Sequence, residues 1–264
     1  MKEADLFSGI RDANCHKGGI RCLQLFQVKE GFFGGLRAAV EDLVRDETPS
    51  DVRDALHVTN WTRPVGAVTQ FSLLNTSGRY DDFSTDHNGL HNGKRFYGAA
   101  KYPYLAQFIE AFPEANNFRL NVIGPKARLS PHEEHSIFRT TKGSIAARVR
   151  FHLPIISNPH AELILDGWVF HLVPGTVYFV NHGCVHSARN GGERDRLHLV
   201  WDMLLTRNLF DCMFDSKSLP TWLARIPTIE QVPKRLRTER VGAFLSLPTL
   251  VQSQEDVFVD WFER

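Results

Sequence analysis

The chain has 264 residues, 42% hydrophobic and 23% charged, with a formal net charge of +1, which suits one large soluble domain or one domain with substantial terminal additions. So small a net charge gives no reason to expect a nucleic-acid surface or a membrane-hugging face. The N-terminus, Met1 to Asp5, is charged and no run of about 20 apolar residues follows, so neither export nor membrane insertion is expected and a reducing cytoplasm is the default.

The first thirty residues alternate short apolar runs with glycine, and Arg21 to Val28 reads as a strand. Gly34-Gly35 opens a predicted helix with Leu36, Val40, Leu43 and Val44 on one face. Residues 56–75 read as strands broken at Pro64-Val65-Gly66. Asn75 to Gly98 is rich in Gly, Asn, Asp, Ser and His, with Asp86-His87-Asn88 and His91-Asn92-Gly93 as turns; so long a loop is a candidate lid or binding edge. Tyr102 to Phe112 has helical spacing and ends at Pro113.

From there the apolar period shifts toward 2. Strands are predicted at Phe118 to Ile123, Ile145 to Pro154, Ala161 to Leu165, Trp168 to Val173, Thr176 to Val180, His186 to Ala188 and Leu197 to Trp201, with Asp166-Gly167 as a tight hairpin. Short strands joined by Gly/Pro turns without helices between them indicate antiparallel sheets packed as a sandwich or closed as a small barrel. Leu219 to Ile226 reads as a short helix and Lys234 to Arg237 as a solvated basic face. Val257 to Phe262 is too apolar to stay in water and should dock on the core or on another subunit. The predicted organisation is an N-terminal α/β region over 1–116 that supplies a lid, a catalytic β core over 117–204 and a helical extension over 205–264. That extension is a candidate homodimer contact.

Of twelve histidines, eight lie from His132 to His198 inclusive. Cysteine offers no rival metal chemistry, since Cys15, Cys22, Cys184 and Cys212 are scattered and lack a C-x-x-C pair. On a strand, His132 and Glu134 leave the same face and can reach one ion. Two imidazoles and one carboxylate on a triangular face suit a ferrous ion that must keep half of its positions open. His186 is the best third ligand; His182, four residues earlier, competes, and a helical His-x-x-x-His pair would suit zinc, but Gly183 argues against a helix there. An arginine facing a sandwich interior needs a carboxylate, and Arg196, ten residues after His186, suits one held bidentate, such as an end of 2-oxoglutarate. Arg194 shares its ideal-strand face and could exchange roles with it. Arg150 and His152 also share a face and could meet a cosubstrate or substrate carboxylate.

Pro131-His132-x-Glu134, Arg150-x-His152-Leu153-Pro154, Gly175, and His186-Ser187-x-x-Asn190 followed by Arg196-x-His198-Leu199 and Asp202 together resemble the aspartyl/asparaginyl β-hydroxylase family of 2-oxoglutarate-dependent dioxygenases, which includes bacterial free-amino-acid hydroxylases such as proline cis-hydroxylases. The resemblance covers residues 118 to 202. It implies a mostly β fold with flanking helices around a double-stranded β-helix, a jelly-roll, cupin-like core. It further implies Fe(II) held by His132 and His186, 2-oxoglutarate anchored by Arg196 with Arg150, His152 and His198 near its carboxylates, and O2 as second cosubstrate. Glu134 stands where small amino-acid hydroxylases have aspartate, one methylene shorter, and a turn near Thr140 to Gly143 looks inserted.

The expected function is therefore Fe(II)/2-oxoglutarate-dependent hydroxylation of an unactivated carbon. A free amino acid or small amino-acid-like metabolite is the expected substrate, recognised by Arg139, Asn181, Arg189 and Trp201. The alternatives are a peptidyl aspartyl/asparaginyl hydroxylase, a cupin-like metal isomerase or ring-opening dioxygenase, and a non-enzymatic binding sandwich.

Overall fold

The structure, a computed structural model, describes residues 2–14, 19–52, 64–85, 93–132, 134, 136–139, 145–215, 219–231 and 235–236. The chain begins with α1 (Glu3–Asn14), unexpected from the sequence, in which Leu6, Ile10 and Ala13 recur at helical spacing and are buried. Strand β1 (Cys22–Val28) follows, then α2 (Glu30–Asp46), which starts four residues before Gly34 and buries Phe32, Leu36, Ala39, Val40 and Leu43. Two short strands, β2 (Ser50–Asp51) and β3 (Val68–Ser72), flank a stretch whose residues 56–63, read as strand from the sequence, lie outside the described residues. The loop expected after Asn75 is coil and turn where it is described; residues 86–92 lie outside. Helix α3 (Pro103–Glu110) starts on its proline, where the missing N–H has no partner to lose.

The β core then runs through β4 (Asn117–Ile123), β5 (Arg128–His132), β6 (Ile137–Arg139), β7 (Ile145–Ile156), β8 (Ala161–Leu165), β9 (Trp168–Phe170), β10 (Thr176–Val180), β11 (His186–Asn190) and β12 (Arg196–Leu204). The β8–β9 hairpin turns at Asp166 (φ 50°) and Gly167 (φ 80°), the left-handed pair that a two-residue turn needs. A single turn of helix, α4 (Arg207–Phe210), runs into a π-type turn, Asp211–Asp215. Leu219 to Ile226 is not a helix. Residues 221–222 form a turn and Leu223–Glu230 is a strand, β13, which pairs with β1 at a sheet edge where Pro227 needs no ladder partner. β14 (Arg235–Leu236) pairs with β9; the apolar end, 257–262, lies outside the described residues.

The large sheet has the order β13-β1-β10-β7-β12-β4-β3-β2 and the small one β14-β9-β8-β11-β5. Within them β10-β7-β12-β4 faces β9-β8-β11-β5, with the chain crossing from sheet to sheet as it proceeds. That is the strand order of a jelly roll, so the predicted double-stranded β-helix is the observed core.

Each face of the large sheet has its own chemistry. Alternate residues of β4, β7, β10 and β12 (Phe118, Leu120; Val149, Phe151, Leu153; Val177, Phe179; Leu199, Trp201) pack outward against α1, α2 and α3 in one large apolar cluster. Stacked Phe118 and Trp201 rings, 5.1 Å apart at 6°, lie near its centre. The intervening residues turn into the sandwich. On β4, β7 and β12 most of them are polar (Arg119, Asn121; Arg148, Arg150, His152; Arg196, His198, Asp202), whereas Tyr178 and Val180 of β10 join a second apolar cluster with Leu163, Leu165 and Phe170 of the small sheet. The largest apolar cluster thus lies outside the jelly roll, and the inside is shared between a smaller one and the polar groups that carry the chemistry. Among the described residues no helix is long and apolar enough to cross a membrane.

Candidate active site

His132 ends β5 and His186 begins β11, and the two are direct partners in the small sheet. Their rings lie 4.2 Å apart between centroids. In each, Nδ1 sits against the carbonyl two residues upstream, at 2.9 Å from Ser130 O for His132 and 2.8 Å from Cys184 O for His186. An Nδ1–H donated to that oxygen leaves the Nε2 lone pair of both rings facing the cavity. Burial lowers the pKa of both, that of His186 to about 3 with help from the adjacent His132, so both rings are neutral and able to ligate.

Glu134 lies just past the end of β5, where its N–H donates to His182 O at 3.2 Å. Its Oε1 is 4.0 Å from His132 Nε2 and 3.8 Å from His186 Nε2, and one donor atom from each of the three residues falls within 4.8 Å of the others. Burial pushes the Glu134 carboxyl up, but Arg150 and then Arg148 outweigh it and hold the group ionised, well below the usual carboxylate range. Two neutral imidazoles and one carboxylate, converging on one point, form a 2-His-1-carboxylate triad, and that donor set fits Fe(II).

Behind Glu134 stands a buried cluster of charge. Arg150 donates from Nη1 and Nη2 to Glu134 at 2.7 and 2.9 Å, and from Nε and Nη2 to Asp202 at 2.6 and 2.9 Å. Arg148 donates from Nη2 to Glu134 Oε2 at 2.9 Å. Two cations face two carboxylates, so the group is neutral as a whole, which burial requires. Asp202 is fixed further by Asn117, whose Nδ2 donates to it at 2.9 Å. To meet a cosubstrate carboxylate, as expected of it, Arg150 would have to exchange one of these partners.

Along the same face of β12, Arg196 is 3% exposed and has no carboxylate or hydrogen-bond partner among the described residues; burial alone lowers its pKa to about 9. Beside it, both ring nitrogens of His198 and Nδ1 of His152 are buried with no hydrogen-bond partner among the described residues. Burial, and then Arg196, keep His198 and His152 neutral, well below their ordinary value. A buried guanidinium and orphaned imidazole nitrogens make a pocket that lacks an anion.

The other residues expected at the site are placed as follows. Trp201 is buried in the aromatic layer on the opposite face of β12 from Arg196, stacked on Phe118. Asn181 spends its amide on the backbone, donating to Ile10 O and Ile20 O at 3.2 and 3.0 Å, so it ties α1 to the sheet. Arg189 is committed to Glu162 on the neighbouring strand. Arg139 lies on β6, opposite Ile145. His182 stands outside the triad and accepts from Arg148 Nε at 3.1 Å. Arg194 offers its carbonyl to Asn190, while Arg196 occupies the buried inner position. Sequence reasoning passed over Arg148 altogether and gave Asp202 no role. Arg148 is two residues before Arg150, hence on its face, and that spacing was the available signal.

With this geometry in view, comparisons with known proteins add the following. The family described as Aspartyl/Asparaginyl beta-hydroxylase matches residues 91–205. Triad, jelly roll and family match together define the class: an Fe(II)/2-oxoglutarate-dependent oxidoreductase of the hydroxylase type. No curated protein sequence is a significant match to this chain. Among solved structures, an oxidoreductase of the 2OG-Fe(II) oxygenase family from Burkholderia pseudomallei is 10% identical, with a TM-score of 0.45 over 77% of this chain and 91% of its own. HygX from Streptomyces hygroscopicus, solved with nickel and 2-oxoglutarate, is 10% identical with a TM-score of 0.44 over 76% and 86%. AviO1 from Streptomyces viridochromogenes is 10% identical with a TM-score of 0.42 over 76% and 95%. The fold assignment rests on the strand order given above.

Proposed function

We propose that the protein hydroxylates an aspartyl or asparaginyl side chain, using Fe(II), 2-oxoglutarate and O2. The observation that carries this reading is the convergence of His132, His186 and Glu134 in the same sandwich as a buried guanidinium, Arg196, that has no anionic partner among the described residues. The family match favours an aspartyl or asparaginyl residue in a peptide over the free amino acid expected from the sequence. Of Arg139, Asn181, Arg189 and Trp201, the groups on which small-substrate recognition was expected to depend, the last three are engaged elsewhere.

His132 Nε2, His186 Nε2 and Glu134 Oε1 would hold the ion, and Arg196 would take the distal carboxylate of 2-oxoglutarate in a bidentate pair. His152 and His198, neutral and short of partners, can each donate one N–H to the same cosubstrate. The chemistry such an ion supplies when bound is the coupling of 2-oxoglutarate decarboxylation to C–H hydroxylation: 2-oxoglutarate, O2 and substrate give succinate, CO2 and the alcohol. The protein orients the partners and, by enclosing them between two sheets, excludes bulk water.

The test is a screen of aspartyl- and asparaginyl-containing peptides and of free amino acids for substrate-stimulated succinate release, with the product located by mass spectrometry. A 16 Da gain on an aspartyl or asparaginyl residue, lost on replacing His132 or His186 by alanine, is the expected result; iron-independent turnover, or full activity in either variant, would overturn the reading.

A further inference from the structure

Arg148 is the member of the charge cluster that no ligand can reach. Its side chain is 0% exposed, against 8% for Arg150 and 23% for Glu134. A guanidinium shut away completely is stabilised only by its partners, and those of Arg148 are specific. Nη2 meets Glu134 Oε2 at 2.9 Å, Nη1 lies 3.6 Å from Asp202 Oδ2, and Nε donates to His182 Nε2 at 3.1 Å. His182 in turn accepts the Glu134 backbone N–H through its carbonyl. One buried pair therefore grips Glu134 at both ends, the main chain by His182 and the carboxylate by Arg148.

Glutamate needs such a grip. With one more methylene than aspartate it has an additional rotatable bond, and an unrestrained carboxylate can swing away from an ion or present both oxygens to it. We infer that Arg148, backed by His182, is the positioning residue for the acidic ligand. It secures Oε2 so that Oε1 alone faces the two imidazole Nε2 atoms, which leaves the rest of the ion's coordination sphere to cosubstrates. Arg150 cannot do this alone, because its fork spans both oxygens and is shared with Asp202. The inference rests on the metal-binding reading of the triad proposed above.

The experiment is anaerobic titration of the full-length protein with Co(II), which reports ligation through its visible absorption band and affinity through a competing chelator. Arg148→Met should weaken Co(II) binding by about 10–100-fold, the usual effect of removing a group that orients a ligand, and alter the band; Arg148→Lys should recover part of the loss. In a Glu134→Gln background, Arg148→Met should change affinity less than about 2-fold, since the group it positions is gone. Wild-type affinity in Arg148→Met, or an equal loss in both backgrounds, overturns the inference while leaving the triad intact. If wild type binds no Co(II), or His132→Ala binds it normally, the metal reading itself falls and the inference with it. Should Arg148→Met fail to fold, as judged by circular dichroism, Arg148→Gln, which keeps a donor but no charge, is read in the same cycle and decides by the same criteria.

Discussion

Arg196 should make the unliganded protein less stable than it need be. Burial alone lowers its pKa from the ordinary arginine value to about 9, and each tenfold change in proton affinity is worth about 1.4 kcal/mol. The ceiling on the destabilisation is therefore about 5 kcal/mol. Replacing a buried charged group by a well-packed apolar one of similar size commonly gains about 1–4 kcal/mol, so Arg196→Met should raise the melting temperature of the ligand-free protein by about 2–16 °C. The same variant should lose the stabilisation that 2-oxoglutarate gives wild type. Because the folded pKa is lowered, the destabilisation is fully present below about pH 9 and is relieved as pH rises above it, while carboxylate binding, which needs the charged form, fades over the same rise. Differential scanning fluorimetry of both proteins, with and without 2-oxoglutarate and across pH 7–10, measures all of this. A lower melting temperature for Arg196→Met together with an undiminished response to 2-oxoglutarate would refute the reasoning.

Three further perturbations separate the buried charge cluster, the inner histidines and the outer layer. Asp202→Asn leaves two arginines facing one carboxylate and should cost about 3–5 kcal/mol in urea denaturation, part of it recovered in Asp202→Asn/Arg148→Met, which restores the balance of charge; simple additivity would count against the cluster acting as a unit. His152 and His198 are held neutral, with folded pKa values well below 6.5, so the stability they contribute is present above that pH and lost as pH falls below it. Together they should account for about 3 kcal/mol between pH 7.5 and 5.5, and His198→Gln should remove about half of that dependence in paired melts. Trp201→Ala should lower stability by about 3–5 kcal/mol yet leave the KM for 2-oxoglutarate unchanged, since its ring lies in the outer apolar layer; a raised KM would place it in the cavity.

Strand positions were legible because the alternation along Asn117–Ile123, Ile145–Ile156 and Arg196–Leu204 is nearly unbroken. The two-residue step from His132 to Glu134 pointed to the triad, although Glu134 lies past the end of β5 and reaches the histidines from outside the strand. What failed needed knowledge of partners distant in the chain. Asn181 looked like a free polar group because nothing local announces Ile10 and Ile20 as its acceptors. Leu219, Trp222, Leu223 and Ile226 have helical spacing, but the open edge of β1 offered ladder bonds that a short helix could not match, and Pro227 was the local warning. Trp201 was misplaced against evidence in hand: five residues from Arg196, it must face the other way. Arg148 was visible as a residue but not as a contact, since Glu134 lies beyond the end of β5 and is held there by His182, a residue distant in the chain.

On β12, residues of the outer apolar layer alternate with inward residues, of which Arg196 and His198 lack a protein partner among the described residues and Asp202 anchors the buried charge cluster. A mutational library confined to Arg196 and His198 can therefore alter selectivity without touching either the layer beneath the helices or that cluster. A slip of one residue in pairing would be ruinous by the same logic, placing guanidinium and imidazole against phenylalanine and leucine and an indole inside the sandwich. Such a strand tolerates exchange at its two unpartnered inward positions but no shift of its alignment.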